Sequence, residues 1–383
     1  MHKRTCWWRA PVLALLAVTV SVIFPVLSWA GGGWSVPLNL SSSAADTDAV
    51  CMVADSSGRV HVVWSEDGRV FHRYKDGNVW TDADLVSSGS APRLAADGEG
   101  DIHLTFASTM MGAGDIYYAA WQAGSGWGPV VNVSQSAEYS FGAAIAVANG
   151  NLAIIWSEPV EDASLIYLAE STDGLIWSSG PVPGAQGTGA AVGFGPEGAL
   201  VAAWEDVYDE GFALDVWAAV RTSTGWSLPT DVSYTPLTNS AFPSLAASSM
   251  GVALAWEQER GDGSAVIISV LMDDGWSEGQ EVSVGDTAFA PALVLDQDGS
   301  YFLAWASADT VRFRSWVAGQ AAWGPVYTVA TGLSNVGAVG LAAEEDVHIA
   351  WLAEAAAENW DAFYSTRTAP AAYAYLHLPL IRR

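Results

Sequence analysis

Acidic residues recur at one kind of place in this chain. Trp64 is followed by Glu66 and Asp67, Trp156 by Glu158, Glu161 and Asp162, and Trp204 by Glu205, Asp206, Asp209 and Glu210. The pattern continues with Glu257, Glu259 and Asp262 after Trp256, Asp309 after Trp305, and Glu354 after Trp351. Aromatic residues punctuate the stretches between them: Tyr139 and Phe141, Tyr234 and Phe242, then Phe289. Carboxylates with aromatic rings among them suit a sugar, a cationic peptide, or a divalent cation held through oxygen ligands. Two such carboxylates about 5 to 9 Å apart could also be the acid and base of a glycoside hydrolase. The competing reading is plain solubility, because strand ends meet water and acidic residues are at ease there. The candidate ligand-binding set is Glu66, Glu158, Glu205, Asp206, Glu257, Tyr139, Tyr234 and Phe242, and no residue is assigned a catalytic role.

Other chemistries find less support. His61, His103 and His348 each stand three residues before a recurring aromatic, and a trio of imidazoles invites a zinc site. Equivalent positions of a repeat are about 10 Å apart, however, while zinc ligands must all lie about 2 Å from the ion. These histidines read as structural. No Gly-x-Ser-x-Gly elbow, phosphate-binding glycine loop or Cys/His metal spacing is present. Asp296-Gln297-Asp298-Gly299 has the flavour of a calcium loop without its downstream ligands, and it sits where a hairpin turn is due. No cofactor is expected, calcium being the one ion with even a partial motif.

The elements that must position these residues come from a repeat. Six dipeptides run in order, Trp80-Thr81, Trp127-Gly128, Trp177-Ser178, Trp226-Ser227, Trp276-Ser277 and Trp323-Gly324, at separations of 46 to 50 residues once Trp34-Ser35 is counted. A further copy is due near residue 370, where the chain reads Thr368-Ala369-Pro370. Trp34-Ser35 supplies that copy from the other end. Each unit holds a short apolar strand, a tight Asp/Gly/Ser turn such as Asp97-Gly98-Glu99-Gly100, and a strand ending in Trp64, Phe106, Trp156, Trp204, Trp256, Trp305 or Trp351. A third strand then leads into the Trp-Ser strand. Short runs of β-branched and aromatic residues between Gly/Asp turns are strands, and no sustained helical period competes. Four antiparallel strands per unit of roughly 48 residues describe a β-propeller blade. The expected fold is all-β: seven four-stranded blades over residues 31–367, the last completed by an N-terminal strand at Trp34-Ser35-Val36-Pro37-Leu38.

The flanks read differently. Lys3, Arg4 and Arg9 precede an apolar run over residues 11–27, and Ser28-Trp29-Ala30 offers a small-x-small cleavage site. Residues 1–30 are read as a secretory signal peptide. The rival is an uncleaved anchor, because a run of this length can just span a bilayer; Pro25 and the Ser-x-Ala site favour cleavage. Cys6 precedes the apolar run, which argues against a lipoprotein anchor. Cleavage would leave 12 Lys and Arg against 42 Asp and Glu, a net charge of −30. Such a surface repels nucleic acid and anionic membrane, both of which are bound through Lys and Arg. Cys51 would be the single remaining thiol, so no internal disulfide can brace the fold. Residues 368–383 form a C-terminal tail ending Leu376-His377-Leu378-Pro379-Leu380-Ile381-Arg382-Arg383, too short to span a membrane. It resembles endings seen on some exported bacterial proteins.

Ser171-Thr172-Asp173-Gly174-Leu175-Ile176-Trp177 resembles the Asp-box, or BNR repeat, of the sialidase superfamily, although this copy is one residue short of Ser-x-Asp-x-Gly-x-x-Trp. Other units keep only a Gly-Trp-Ser end, as in Gly225-Trp226-Ser227 and Gly275-Trp276-Ser277. The resemblance implies a propeller in which Ser171, Asp173, Gly174 and Trp177 stabilise the turn between third and fourth strands. It does not carry over sialidase activity, which needs three arginines on the substrate carboxylate, a Tyr-Glu nucleophile pair and an Asp acid/base. Only Arg93, in Ala91-Pro92-Arg93-Leu94, stands near the first arginine position, without the surrounding motif. The reading is an exported, non-catalytic recognition protein, secreted or at the cell surface. It is expected to be monomeric, with carbohydrate or an extracellular protein as partner and no membrane span after signal cleavage. The alternative is a glycoside hydrolase using paired rim carboxylates.

Overall fold

The computed structural model describes residues 33–368 apart from 111, 113, 208–212, 262, 286, 321, 357 and 358. The signal segment and the tail from residue 369 lie outside the described residues, as do Asp209, Glu210 and Asp262.

Seven antiparallel sheets form a seven-bladed propeller. The innermost strands are Thr47–Ala54, Ser90–Ala96, Phe141–Ala148, Thr188–Phe194, Ser240–Ser248, Ala288–Leu295 and Val336–Ala343. The second strands, among them Val60–Glu66, Asn151–Val160, Leu200–Val207 and Gly251–Arg260, are the most deeply buried elements. Their terminal aromatics, Trp64, Phe106, Trp156, Trp204, Trp256, Trp305 and Trp351, are each at most 2% exposed. Trp64, Phe106, Trp156 and Trp351 stack on Phe71, Tyr117, Tyr167 and Phe363 of the third strands, with ring centroids 5.7–6.1 Å apart. Each aromatic thus packs between neighbouring blades, where truncation to Ala typically costs about 3–5 kcal/mol. Only one short 3-10 turn, Pro196–Gly198, interrupts the β structure among the described residues. No helix there is long and apolar enough to cross a membrane.

The ring closes as the repeat predicts. Leu38 and Asn39 pair with Tyr364 and Phe363 at the outer edge of blade 7. The Ser35 N–H donates to Thr366 O at 2.8 Å and the Leu40 N–H to Ala362 O at 2.7 Å, so the paired segment runs two residues further than expected. Trp34, 6% exposed, sits edge-on to Phe313 of blade 6, 5.4 Å between centroids.

Two irregularities bear on function. Outer strands in blades 1, 2, 4 and 5 are split, for example into Val79–Trp80 and Asp84–Ser88. Every innermost strand also carries a bulge near its start, between residues 47/49, 90/93, 141/144, 188/191, 241/244, 289/292 and 336/339. In blades 2 to 6 the bulge holds a residue in the left-handed region: Ala91, Gly142, Gly189, Phe242 and Ala290, with φ between 50° and 65°. Such bulges bend the strand and turn a backbone N–H out of the ladder.

Candidate functional site

The crossings between blades and the loops from second to third strands open on one face of the ring. Among the described residues the rim carboxylates stand at the ends of their second strands or in the loops that follow, and most are already engaged. Glu158 is buried and accepts hydrogen bonds from Ser136 Oγ at 2.6 Å, Ser140 Oγ at 3.2 Å and Trp156 Nε1 at 3.2 Å. Glu205 accepts from Thr188 Oγ1 at 3.2 Å and from the backbone N–H of Phe242, in the next blade, at 2.9 Å. Glu257 repeats this one blade on, accepting from the N–H of the bulge residue Ala290, while the Ser264 hydroxyl beside it donates to Ala288 O at 2.8 Å; burial raises the Glu257 carboxyl above the usual range. Glu66 and Asp206 are half-buried at the ends of their strands, Asp206 directly opposite Asp215. Glu205 and Glu257 therefore act first as inter-blade latches that satisfy N–H groups freed by the bulges, while Glu158 is held by hydroxyl and indole donors.

Of the expected aromatics Tyr139, Tyr234 and Phe242 are exposed on the same face, while Phe141 is half-buried and Phe289 packs against the core between blades 6 and 7. Tyr139 is 49% exposed and stacks on Phe141 with centroids 5.7 Å apart, its ring lying where a Cβ on Gly114 would be. Tyr234 is 73% exposed and Phe242 61%. Both adopt left-handed backbone, φ 45° and 55°, a conformation that costs a bulky residue about 1–2 kcal/mol. Blades 3 and 4 place glycine where blade 5 has Phe242. The set falls into two groups, Tyr139 with Phe141 at the crossing from blade 2 to 3, and Tyr234 with Phe242 at the crossing from blade 4 to 5.

The crossings themselves are held by buried aspartates that the acidic pattern of the sequence does not single out. Asp115, Asp215 and Asp361 open the third strands of blades 2, 4 and 7. Each accepts a serine hydroxyl from the crossing: Ser134 at 2.8 Å, Ser233 at 2.8 Å and Ser41 at 2.7 Å. The signal that could have found them is the recurring triplet, Asn132-Val133-Ser134, Asp231-Val232-Ser233 and Asn39-Leu40-Ser41.

Arginines do not converge on this face. Arg59 pairs with Asp55, Arg69 with Asp67, Arg221 with Glu170 and Arg260 with Glu281. Arg73 donates to Leu40 O, Arg93 to its neighbour Pro92 O, Arg312 to Thr328 Oγ1 and Arg314 to Val282 O. Arg367 lies over the Tyr327 ring at 4.0 Å.

The histidines serve the packing between strands. Trp127 Nε1 donates to His72 Nδ1 at 3.2 Å, which leaves His72 Nε2–H to donate to His61 Nδ1 at 3.0 Å. His61 Nε2–H then points at Asp55 Oδ2, 3.3 Å away. Burial holds His61 down to about 4, and burial with the neighbouring His61 holds His72 to about 3, so both are neutral near pH 7. His103 and His348 bond the Tyr118 and Tyr364 hydroxyls, each at 2.8 Å. Among the described residues no three His, Cys, Asp or Glu side chains gather as a metal site. Cys51 is a packed thiol whose pKa burial raises, touching the Leu94 N–H at 3.4 Å.

The turn at residues 171–178 joins the third and fourth strands of blade 3. Asp173 Oδ1 accepts the N–H groups of Leu175 at 2.8 Å and Ile176 at 2.9 Å. Those bonds, Ile176 first, hold its carboxyl below the usual range. Ser171 Oγ accepts the Gly174 N–H at 2.9 Å, and Trp177 Nε1 donates to Gly174 O at 3.1 Å.

On the opposite face the channel widens into a cavity of about 860 Å³, to which all seven innermost strands contribute. Its wall is mostly Ala, Val, Leu and Gly, and its mouth carries Glu197, Asp296 and Glu344. Burial, with Asp296 nearby, raises the Glu344 carboxyl. Sequence patterns point to no site here, because the lining is an ordinary set of small strand residues.

No protein-family model matches this sequence, and no curated protein matches it. Solved structures share the architecture at low identity. A polysaccharide lyase of the PL25 ulvan lyase family is 12% identical with a TM-score of 0.56, covering 83% of this chain and 94% of its own. The polysaccharide lyase Uly1 is 8% identical with a TM-score of 0.54, covering 86% and 90%. A puromycin-hydrolyzing peptidase of Mycobacterium tuberculosis is 11% identical with a TM-score of 0.53, covering 84% of this chain and 51% of the peptidase. These likenesses establish the propeller and nothing of its chemistry.

Proposed function

We propose that this chain is a non-catalytic recognition propeller that binds carbohydrate on the face bearing the blade crossings, and that it works outside the cytoplasm as an exported or surface protein. One observation carries the reading. Tyr234 and Phe242 hold large rings in solvent on left-handed backbone, where glycine would sit without strain and where no packing offsets the cost. The sister positions share this backbone but carry Ser, Gln, Gly or Ala, so what sets these two apart is a large ring kept in solvent, available for contact with something else. Flat aromatic faces beside half-buried carboxylates stack on sugar rings while the carboxylates accept their hydroxyls. The glutamates a hydrolase would need, Glu158 and Glu205, are committed to serine, tryptophan and backbone donors. The turn bonds of Ser171, Asp173, Gly174 and Trp177 support a degenerate Asp-box and, with it, a distant kinship to BNR propellers.

A glycoside hydrolase remains the second reading, favoured by one residue. Glu257 has its carboxyl raised by burial, as a general acid requires. The test is a screen of the secreted chain against an array of neutral and acidic glycans, with each bound glycan then offered as substrate. Binding without cleavage supports recognition. Cleavage that disappears in Glu257→Gln, which keeps an accepting oxygen for the Ala290 N–H, with the wild-type melting temperature retained, establishes the hydrolase instead.

A further inference from the structure

Three crossings of the ring are built on one plan, and one of them breaks it. In Asn39-Leu40-Ser41, Asn132-Val133-Ser134 and Asp231-Val232-Ser233 the first residue's Oδ1 accepts the backbone N–H three positions on. Those distances are 2.9 Å to Ser42, 3.0 Å to Gln135 and 2.8 Å to Tyr234, and all three recipients are left-handed, with φ of 45° to 47°. In the two asparagine copies the remaining amide nitrogen donates to the buried aspartate: Asn39 Nδ2 to Asp361 Oδ2 at 2.7 Å, and Asn132 Nδ2 to Asp115 Oδ2 at 2.8 Å. Asp231 puts an oxygen where that nitrogen belongs. Its Oδ2 and the Oδ2 of Asp215, a residue 0% exposed, are both buried without a hydrogen-bond partner.

We propose that Asp231 and Asp215 share one proton in the folded protein, the carboxyl of one donating to the carboxylate of the other in place of the amide bond used at the sister crossings. Asp215 is fully buried and Asp231 half-buried, and two carboxylates whose Oδ2 atoms are both buried and unbonded, the charge of one acting on the other, do not both stay ionised without a cation or a proton between them. A metal ion has too few ligands here. Asp215 Oδ1 is taken by Ser233 Oγ, Thr235 N–H and Thr235 Oγ1, and Asp231 Oδ1 by Tyr234 N–H, while calcium takes about 6–8 oxygens. Among the described residues the flanking strands add mostly negative charge, Arg260 on the second strand of blade 5 being paired with Glu281. Asp206 lies opposite Asp215 on the second strand of blade 4, with Glu205 beside it. Glu257 and Glu259 stand on the second strand of blade 5, Glu259 tied through Asn239 to the Leu214 N–H. Among the described residues no Lys, Arg or His forms an ion pair with either aspartate. Burial, and then the Asp215 charge, accordingly push the Asp231 carboxyl up.

As pH rises the proton leaves to solvent, the two carboxylates repel, and the crossing that presents Tyr234 is held to blade 4 only by the bonds of Ser233 and Thr235 to Asp215 Oδ1 and by its backbone bonds to Val216. A carboxyl raised above its unfolded value contributes stability that is full below the unfolded pKa and lost as pH rises through the folded one. The test compares thermal melts of wild type, Asp231→Asn and Asp215→Asn from pH 4 to 9. Either amide restores the bond of the sister crossings. The variants' lead in Tm should grow by roughly 2 °C per pH unit from about pH 4 and level off where the pair deprotonates. A lead independent of pH, or no lead, overturns the proposal. Carbonyl carbon NMR of the wild type at increasing pH gives a second reading that needs no variant. It should show an aspartate carboxyl titrating well above pH 4, and its absence also overturns the proposal. A wild-type Tm raised by 1 mM calcium, a probe concentration of about that size being ample for an oxygen site of modest affinity, and unchanged in Asp231→Asn, would replace the proton by a cation and equally overturn it. The carbohydrate reading survives any of these outcomes, because Tyr234 and Phe242 stay exposed with or without the shared proton.

Discussion

The carboxylate of Glu205 in blade 4 reaches the backbone N–H of Phe242 in the neighbouring blade 5, 2.9 Å away. It lies under Gly189, where a Cβ would come within 2.8 Å of its carboxyl carbon, and so is held from both sides. Removing it strands an N–H at a bulge. Glu205→Ala is expected to cost about 2 kcal/mol, while Glu205→Gln, which keeps an accepting oxygen, costs about 1 kcal/mol or less. Urea unfolding of the two variants checks the ranking; equal losses would mean the bond carries no stability.

Phe242 itself separates stability from function. Its ring is 61% exposed and its φ is 55°. Phe242→Gly is expected to leave stability unchanged or raise it by up to about 1 kcal/mol, since the strain goes and little packing is lost. The same variant should weaken ligand binding. A large drop in stability would show that the ring packs and is not held out for a partner.

Gly174 occupies the turn of blade 3 with φ 68°, and a Cβ there would stand 2.7 Å from the Tyr118 ring. Tyr118 is fixed by its bond to His103 and its edge contact with Trp177, so it cannot easily yield. Gly174→Ala should cost about 1–3 kcal/mol, read by the shift of the denaturation midpoint. An unchanged midpoint would mean that the turn relaxes freely.

Much of the ring is legible in the order of residues, and the reasons are specific. Trp34-Ser35 completes the spacing begun at Trp80, so closure by the N-terminus follows from counting. The aromatics that end the second strands mark which strands are buried. The site is legible only as a list of residues. Glu158, Glu205 and Glu257 look alike in sequence, but whether such a carboxylate meets water, a serine or the next blade's N–H depends on the bulge two strands away. The aspartate latches escape notice because Asp115, Asp215 and Asp361 become meaningful only when paired with triplets that follow or precede them by many residues. The cavity on the far face leaves no trace in a run of Ala and Val.

Acid should loosen the junction of blades 1 and 2. His61 and His72 are held neutral by burial, at about 4 and about 3. A histidine depressed in the folded state contributes stability that is full above its unfolded pKa of about 6.5 and lost as pH falls toward the folded value. Urea midpoints should decline from pH 6.5 to 4, and His72→Phe should flatten that decline. An unaltered slope in the variant would place the acid sensitivity elsewhere.

Closure should matter more than its two ladder residues suggest. Trp34 is buried against Phe313, and its strand covers the edge of blade 7. Trp34→Ala is expected to cost about 3–5 kcal/mol and to expose an edge that promotes association, visible as a lower Tm and a concentration-dependent sedimentation coefficient. A monomeric variant of wild-type stability would mean that the ring does not depend on its clasp.

Carbohydrate recognition at this face is tested by glycan binding of the wild type beside a Tyr234→Gly, Phe242→Gly double variant, with product release followed on the same glycans. Recognition through these two rings predicts a bound glycan, loss of at least tenfold in affinity for a double variant that melts no lower than wild type, and no cleavage by either protein; a tenfold loss corresponds to about 1.4 kcal/mol. Undiminished binding by the variant, or turnover by the wild type, would contradict it.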